Sequence, residues 1–337
     1  MSDQLSGNSL KEVWLDGLKS SSRRSTDFLH EWASSGFLDS LAVWSSSKDQ
    51  SFPARLIGET ERAELLASIA DELQGDLEKS GSHRIDKWEK GWGENLERLE
   101  HAEPESALIP GYFERSSIVR VGPHFFEVDS GAAEASLLGL LVGTVVEGVS
   151  NSMGVSAIHE FGCGTGIHLA RLARWFPEHS IRGYDWTKAS VAIVNQLRDE
   201  WGMENLAGEE FDFFEPNPAV AVAGTDLVLT VAALEQVGSS YQEFLTFLAD
   251  KKPAVVVNIE PIGELLNLDS YEGQLSRDYF LKRNYLDGFL THLERLEEKR
   301  EIKIVHAGRS GLGSRYIEVY SVVVWKFVDN DDVDVPR

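Results

Sequence analysis

A glycine-rich turn that follows a short apolar run constrains the fold of this 337-residue chain most strongly. The run Ala157–Phe161 carries Glu160 near its end, and glycines follow at positions 162, 164 and 166. Glycines at alternate positions let the backbone turn sharply and approach a ligand without a clash from a Cβ atom. The amphipathic helix expected over residues 167–176 would direct its first N–H groups at the same ligand. The pattern therefore predicts a nucleotide-type cradle at the end of a strand.

The spacing of these glycines distinguishes the cradle from two other nucleotide sites. A dinucleotide fingerprint needs Gly-x-Gly-x-x-Gly, or Ala at the last position, and Ile167 stands there. A P-loop needs a Lys directly after its glycines, and none follows here. The sequence therefore disfavours both an NAD enzyme and a P-loop protein.

A second acid follows one helix and one strand later, as a βαβ unit requires. The run Ser180–Asp185 reads as a strand that ends in this acid, with Trp186 next. A carboxylate at such a strand end can accept hydrogen bonds from both hydroxyls of a ribose. The indole of Trp186 could stack on the edge of an adenine.

Later apolar runs predict the rest of an α/β sheet. Continuous apolar stretches at 226–237 and 254–259 are typical of buried parallel strands. Two more strands are expected at 301–306 and 316–325. The polar, glycine-rich loop 308–314 between them favours an antiparallel hairpin that closes one edge of the sheet.

These motifs together resemble the class I S-adenosylmethionine-dependent methyltransferases over about residues 157–327. The resemblance implies a Rossmann-like seven-stranded sheet with strand order 3-2-1-4-5-7-6, and S-adenosylmethionine as cofactor. It implies that Asp185 holds the ribose and that Asp212 binds the adenine amine. The cofactor-binding residues that it implies are Glu160, Gly162, Cys163, Gly164, Gly166, His168, Asp185, Trp186, Asp212, Phe213 and Thr230.

The chain departs from this family at one position and is similar to a narrower group at others. Small-molecule methyltransferases often carry Leu-Glu-His-Val after the fourth strand, whereas this chain has Leu-Glu-Gln-Val at 234–237. A histidine base at that position is therefore not expected. Segments 258–261, 282–286 and 321–326 resemble a bacterial subgroup whose substrate is not firmly assigned.

The candidate catalytic residues are two carboxylates, Glu235 and Glu260. Methyl transfer to a hydroxyl needs positioning, exclusion of water and removal of a proton, and ligands of open α/β sheets sit beyond the carboxyl ends of the strands. Gln236, Arg283 and Tyr285 are candidates for binding the acceptor. Two structural alternatives remain: a carboxylate at a helix N-terminus for Glu235, and an ion pair with Arg283 for Glu260. No His/Cys cluster has the spacing of metal ligands, so no metal is expected.

Changes in pattern along the chain divide it into four segments. Residues 1–105 are predicted to be a helical accessory domain, and they hold the tryptophans at 14, 32, 44, 88 and 92. Residues 106–150 are predicted to be a hairpin and a helix that form a lid. Residues 151–328 form the expected cofactor-binding domain, and 329–337 an acidic tail.

Composition limits the partners and the compartment. A net charge of −23 repels nucleic-acid phosphates and anionic membranes. One cysteine rules out an internal disulfide and suits a reducing compartment. We identified neither a signal-peptide pattern nor an apolar run of membrane-spanning length, so the expectation is a cytoplasmic protein.

The sequence thus predicts a methyltransferase that acts on a small-molecule or sugar-like acceptor, at oxygen. A protein methyltransferase whose helical domain docks its partner is one alternative, and a non-catalytic scaffold with the same fold is another. The helical domain is also a candidate surface for homo-oligomers. An aminopropyl transferase is disfavoured, because the denser glycine loop and paired acids of that class are not found.

Overall fold

The computed structural model of the protein describes residues 54–128, 130–316 and 318–328. The tryptophans predicted to pack at positions 14, 32 and 44 lie outside the described residues, as does the acidic tail 329–337.

The described residues form two β-sheets with helices around them. The strands are β1 (Ala54–Leu56), β2 (Ile118–Val121), β3 (His124–Val128), β4 (Ala157–Phe161), β5 (Ser180–Asp185), β6 (Leu206–Glu210), β7 (Leu227–Val231), β8 (Val255–Glu260), β9 (Ile302–Arg309), β10 (Leu312–Ser314) and β11 (Ser321–Phe327). The helices are α1 (Glu59–Glu72), α2 (Ile85–Leu99), α3 (Pro104–Ala107), α4 (Ala132–Met153), α5 (Ile167–Trp175), α6 (Lys188–Trp201), α7 (Gln242–Lys251), α8 (Tyr271–Arg283) and α9 (Phe289–Glu298). Short 3₁₀ turns cover Ser82–Arg84, Phe113–Arg115, Leu234–Val237 and Gly263–Leu265.

The larger sheet has the strand order β6-β5-β4-β7-β8-β11-β9. Strands β4 to β8 pair in parallel, and β11 inserts antiparallel to both β8 and β9. Counted along the chain from β4, this is the order 3-2-1-4-5-7-6. The prediction of a Rossmann-like sheet is therefore confirmed, and the chain has the fold of the class I methyltransferases.

Both faces of this sheet are covered, which explains why its central strands are apolar throughout. In β8, Val255 and Val257 pack into one core cluster, whereas Val256 packs into a second cluster with Phe161 and Phe244. A strand that alternates between two buried faces has no polar side, so it reads as a continuous apolar run.

The smaller sheet is antiparallel, with the order β1-β3-β2-β10. Its first strand, β1, lies within residues 1–105, which are predicted from the sequence to be helical. A strand of three residues is too short to show the alternation by which a strand is predicted. Its last strand, β10, lies in the loop expected between the final two strands, and Leu312 pairs there with Val121. The buried Glu318 carboxylate, between β10 and β11, accepts a hydrogen bond from Arg309 and lies 3.4 Å from Arg120 on β2. An ionic contact therefore also connects the segment after β10 to β2.

Helix α4 is a long apolar helix inside the protein. By length and composition alone it would be able to cross a membrane, but 72% of its most apolar window is buried against the rest of the chain. The sequence analysis did not identify this run as long enough. The helix packs against α5, β8 and β10, so this part of the predicted lid segment is a core element.

Candidate functional site

The turn after β4 has the left-handed backbone that its glycines allow. The φ angles of Gly162, Gly164 and Gly166 are +74°, +54° and +71°, a region that other residues rarely adopt. A Cβ atom on Gly162 would also lie 2.4 Å from the Cβ of Ala233. Conformation and packing therefore both require glycine at this position.

Asp185 at the end of β5 holds this turn in place. Its Oδ2 accepts a hydrogen bond from the Gly164 N–H over 2.9 Å. Its Oδ1 accepts from the N–H and the hydroxyl of Thr187, at 2.9 and 2.7 Å. A carboxylate offers about four acceptor positions, so these three bonds leave capacity for a ligand hydroxyl.

Glu160 is a buried carboxyl group that lacks a partner. Its side chain is 1% exposed, and its Oε2 has no hydrogen-bond partner among the described residues. Burial, and then the negative charge of Asp185, raises the pKa of Glu160 well above its usual range. A buried polar atom without a hydrogen bond is costly, so the site is suited to a cationic donor.

Aromatic residues gather beyond the ends of β5 and β6. The rings of Trp186 and Phe214 stack with centroids 6.0 Å apart, and Phe213 packs edge-on to Phe244 at 4.8 Å. Oδ1 of Asp212 accepts a hydrogen bond from the Phe214 N–H over 2.8 Å. Trp186, Asp212 and Phe213 are all half-buried, so their surfaces remain available beside the glycine turn.

Three other residues predicted to bind the cofactor are enclosed by protein. The Cys163 thiol lies 3.4 Å from the Ser190 hydroxyl, and burial raises its pKa. Burial lowers the pKa of His168, in the first turn of α5, to about 3, so this imidazole is neutral. The Thr230 hydroxyl accepts a hydrogen bond from Asn258 over 2.9 Å.

Glu260 braces the turn that follows β7. Its Oε1 accepts hydrogen bonds from the N–H groups of Ala233 and Leu234, at 3.0 and 3.1 Å. Its Oε2 accepts from the Glu235 N–H over 3.4 Å. Burial raises the pKa of Glu260 to about 7. Its partners among the described residues are thus these three backbone amides and the Thr230 side chain, rather than Arg283.

Glu235 lies in the 3₁₀ turn that Glu260 braces. It is 7% exposed; its Oε1 accepts a hydrogen bond from Gln236 Nε2 over 2.8 Å, and its Oε2 accepts none of regular geometry within the described residues. Burial, and then the charge of Glu260, raises the pKa of Glu235 to about 8. Arg283 and Tyr285 lie close enough to oppose that rise. The structure therefore brings together Glu235, Gln236, Arg283 and Tyr285.

Helix α2 covers the glycine turn, which the sequence analysis did not anticipate. A Cβ on Gly164 would lie 3.1 Å from the Trp92 ring. The rings of Trp88 and Trp92 stack at 5.1 Å, and Tyr112 meets both edge-on. The apolar stripe of α2 was recognisable from its spacing, but the surface against which it packs was not.

Comparisons with known proteins find similarity only at the level of the fold. No protein-family model matches the sequence, and no curated protein sequence matches it. One similar structure is the O-methyltransferase NcsB1 from neocarzinostatin biosynthesis, in complex with S-adenosylmethionine and 2-hydroxy-5-methyl naphthoic acid. It is 16% identical with a TM-score of 0.41, and the match covers 58% of this chain and 57% of that one. This chain thus spans little more than half the length of NcsB1.

Two further structures match in the same way. Magnesium protoporphyrin IX methyltransferase (ChlM) from Synechocystis PCC 6803, with bound SAH, is 14% identical with a TM-score of 0.43; the match covers 58% of this chain and 87% of that one. The methyltransferase domain of bacterial CtHen1-C is 18% identical with a TM-score of 0.42; the match covers 57% of this chain and 100% of that one.

Proposed function

We propose that the protein is an S-adenosylmethionine-dependent methyltransferase that acts on an oxygen of a small-molecule or sugar-like acceptor. One observation carries the cofactor assignment: the unpaired, buried carboxyl of Glu160 lies next to a left-handed glycine turn that Asp185 holds. The cofactor carries an ammonium group, which supplies the donor that Glu160 lacks. The fold agrees with this assignment.

Each end of the cofactor has matching residues. Glu160 and the turn from Gly162 to Gly166 suit its amino-acid end, and the remaining acceptor position of Asp185 suits a ribose hydroxyl. Asp212 and Trp186 are half-buried and suit the adenine. When bound, the cofactor supplies an electrophilic methyl group on a sulfonium.

Glu235 is the better of the two candidate bases. Its Oε2 accepts no hydrogen bond of regular geometry within the described residues, and a pKa of about 8 lies close to the pH at which a general base works best. In this role the ionised form of Glu235 takes the proton of the acceptor hydroxyl at Oε2. Glu260 acts through position, because its carboxylate fixes the backbone that carries Glu235. Gln236, Arg283 and Tyr285 surround Glu235 and are the proposed acceptor contacts.

Calorimetry with S-adenosylhomocysteine tests the cofactor assignment. The wild-type protein should bind it, and Glu160→Gln and Asp185→Ala should each weaken binding about tenfold or more, since hydrogen bonds to charged groups are worth about 1.5–3 kcal/mol. Glu209→Gln is the matched control, because Glu209 is an exposed carboxylate at the neighbouring strand β6. Failure of the wild-type protein to bind would contradict the proposal.

Methyl-labelled cofactor tests the class of acceptor. After incubation with a cell lysate, label in small molecules supports the proposal, and label in protein supports a protein methyltransferase. A protein that binds the cofactor and transfers no label to either fraction would fit the scaffold. The cytoplasmic location and the role of the accessory segment in oligomers stay predictions.

A further inference from the structure

Two arginines from distant parts of the chain meet beside Glu235. Arg84 ends the 3₁₀ turn before α2 and is 5% exposed, and Arg283 ends α8 and is half-buried. Burial, and then the positive charge of Arg283, lowers the pKa of Arg84. Both arginines also contact Glu78. Neighbouring guanidinium groups repel each other, so a ligand of opposite charge would stabilise the pair.

Aromatic rings restrict the positions of both guanidinium groups. Arg84 lies 4.9 Å from the centroid of the Trp88 ring. Arg283 lies 5.9 and 5.4 Å from the centroids of Tyr279 and Tyr285. A guanidinium over an aromatic ring is attracted to the face of that ring, so these contacts restrict the positions of both guanidinium groups before any ligand arrives.

The protein uses only part of the donor capacity of these arginines. Nη1 of Arg84 donates to Gln236 Oε1 over 2.6 Å, and Nη1 of Arg283 donates to the carbonyl oxygen of Glu78. The Nε atoms of both arginines are buried and have no hydrogen-bond partner in the part of the chain that the structure describes. Buried donors without partners are costly.

Protein carboxylates leave this positive charge only partly compensated. The Glu78 carboxylate lies 3.7 Å from Arg84 Nη2, but it is 46% exposed and also contacts Lys87. Burial, and then the charge of Glu260, raises the pKa of Glu235 to about 8, so its negative charge is only partial near pH 7. A local excess of positive charge is unusual in a chain of net charge −23, and it lies next to the proposed base.

The arginines are also connected to the proposed base through one side chain. Gln236 accepts from Arg84 with Oε1 and donates to Glu235 with Nε2. The positive charge of Arg283 also favours the ionised form of Glu235 and opposes the rise of its pKa. A molecule whose hydroxyl reaches Glu235 therefore has a second contact point at the arginines.

We propose that Arg84 and Arg283 bind an anionic group, a carboxylate or a phosphate, on the methyl acceptor. The proposal rests on the methyltransferase function, and it restricts the acceptor to acidic polyols such as uronic acids or sugar phosphates. Planar guanidinium groups match the two oxygens of a carboxylate or phosphate. The hydroxyl oxygens of an uncharged sugar can also accept from the Nε atoms, but they carry no negative charge to offset that of the two guanidinium groups.

Calorimetry on the full chain, with and without S-adenosylhomocysteine, tests this proposal with three probes: D-glucuronate, D-glucose 6-phosphate and D-glucose. At least one charged probe should bind about tenfold or more tightly than glucose, the size expected of one hydrogen bond to a charged group. The stronger charged probe tells whether the group is a carboxylate or a phosphate. Charged probes that bind no better than glucose would overturn the proposal.

Variants of the two arginines test whether they cause the preference for a charged probe over glucose. Arg283→Gln and Arg84→Lys should each weaken the charged probe about tenfold and leave glucose unchanged. Arg277→Gln is the matched control, because Arg277 lies on the same helix and is 47% exposed. If the Arg84 variant does not fold, as judged by circular dichroism, Arg283→Gln decides. An unchanged affinity of Arg283→Gln for the charged probe would refute the proposal.

The same samples separate this proposal from the methyltransferase function. Binding of S-adenosylhomocysteine without any preference among the probes would leave the methyltransferase in place and refute the anionic acceptor. Arginine-dependent binding of a charged probe without binding of S-adenosylhomocysteine would overturn the methyltransferase, and with it the assignment of the anion as a methyl acceptor.

Discussion

Glu89 on α2 and Lys188 at the start of α6 are joined across the protein by a hydrogen bond. Glu89 Oε2 accepts from the Lys188 N–H over 2.8 Å, and Oε1 accepts from the Ala189 N–H over 3.1 Å. A carboxylate at this end of a helix is favoured by the free N–H groups and by the dipole. Lys188 lies three residues after Asp185, so this contact holds α2 next to the proposed ribose site.

Glu89→Gln should loosen this cover. Loss of the charge at the N-terminus of α6 should lower the free energy of unfolding by about 1 kcal/mol. The amides of Lys188 and Ala189 should exchange hydrogen faster, because they lose a charged acceptor. Glu94→Gln, at an exposed position of the same helix, should change neither. Unaltered exchange at both amides would show that the cover does not depend on this carboxylate.

Stability should fall as the pH rises from about 4.5 to about 8. In the folded protein, burial raises the pKa of Glu134 to about 7, of Glu260 to about 7 and of Glu235 to about 8. The folded state therefore holds protons that the unfolded state releases, and in this window ionisation favours unfolding. This stabilisation is present in full below the pKa that these carboxyl groups have in the unfolded chain. It is lost as the pH rises through the pKa that they have in the folded protein.

Glu235→Gln tests that dependence with urea unfolding at pH 6 and pH 9. One pKa unit corresponds to about 1.4 kcal/mol. Between pH 6 and pH 9, the free energy of unfolding should therefore fall by a few kcal/mol more in the wild-type protein than in the variant. Glu209→Gln should follow the wild type, since Glu209 is exposed. Equal losses in all three proteins would contradict the raised pKa of Glu235.

Binding of S-adenosylhomocysteine should release a proton. Burial raises the pKa of Glu160 in the free protein and so favours its protonated form, whereas an ammonium partner favours its ionised form. The calorimetric enthalpy measured at one pH should therefore differ between phosphate and Tris, by an amount proportional to the number of protons released and at most about one proton for this group. Glu160→Gln should remove most of this difference, and a wild-type enthalpy that is independent of the buffer would contradict the proposed pairing.

Gly162→Ala should destabilise the protein more than Gly154→Ala. Both glycines have positive φ angles, +74° and +63°, but a Cβ on Gly154 would meet nothing within 4 Å. The control therefore measures backbone strain alone, about 1 kcal/mol. Overlap with Ala233 should add about 1–3 kcal/mol for Gly162→Ala. Equal changes in melting temperature would mean that the turn has room to move.

The parts of the site that could be predicted from sequence have local signals. The left-handed turn needs glycine at 162, 164 and 166, and Asp185 follows one helix and one strand later. Period and spacing along the chain therefore predict the sheet and this edge of it. Glu235 became a candidate base because it lies in the turn beyond the carboxyl end of a buried strand, and its role stays a prediction.

The parts that could not be predicted depend on contacts between distant segments. Arg84 meets Gln236 across 152 positions, and Glu89 meets Lys188 across 99. An arginine or glutamate on a helix usually faces solvent, and nothing near 84 or 89 in the sequence shows where α2 packs. The role of Glu260 was ambiguous for a similar reason, because its backbone partners include the Leu234 amide, 26 positions away.

Strand β10 has a consequence for anyone who wishes to isolate the half of the chain that contains the seven-stranded sheet. Leu312, Gly313 and Ser314 belong to the second half by position, yet they pair with Val121, Arg120 and Val119. A truncated chain that begins at residue 151 would expose that strand edge and strip Glu318 of Arg120. Exposed strand edges with unpaired backbone groups pair with strands of other chains, so the truncated fragment should aggregate. The two halves therefore have to be expressed as one polypeptide.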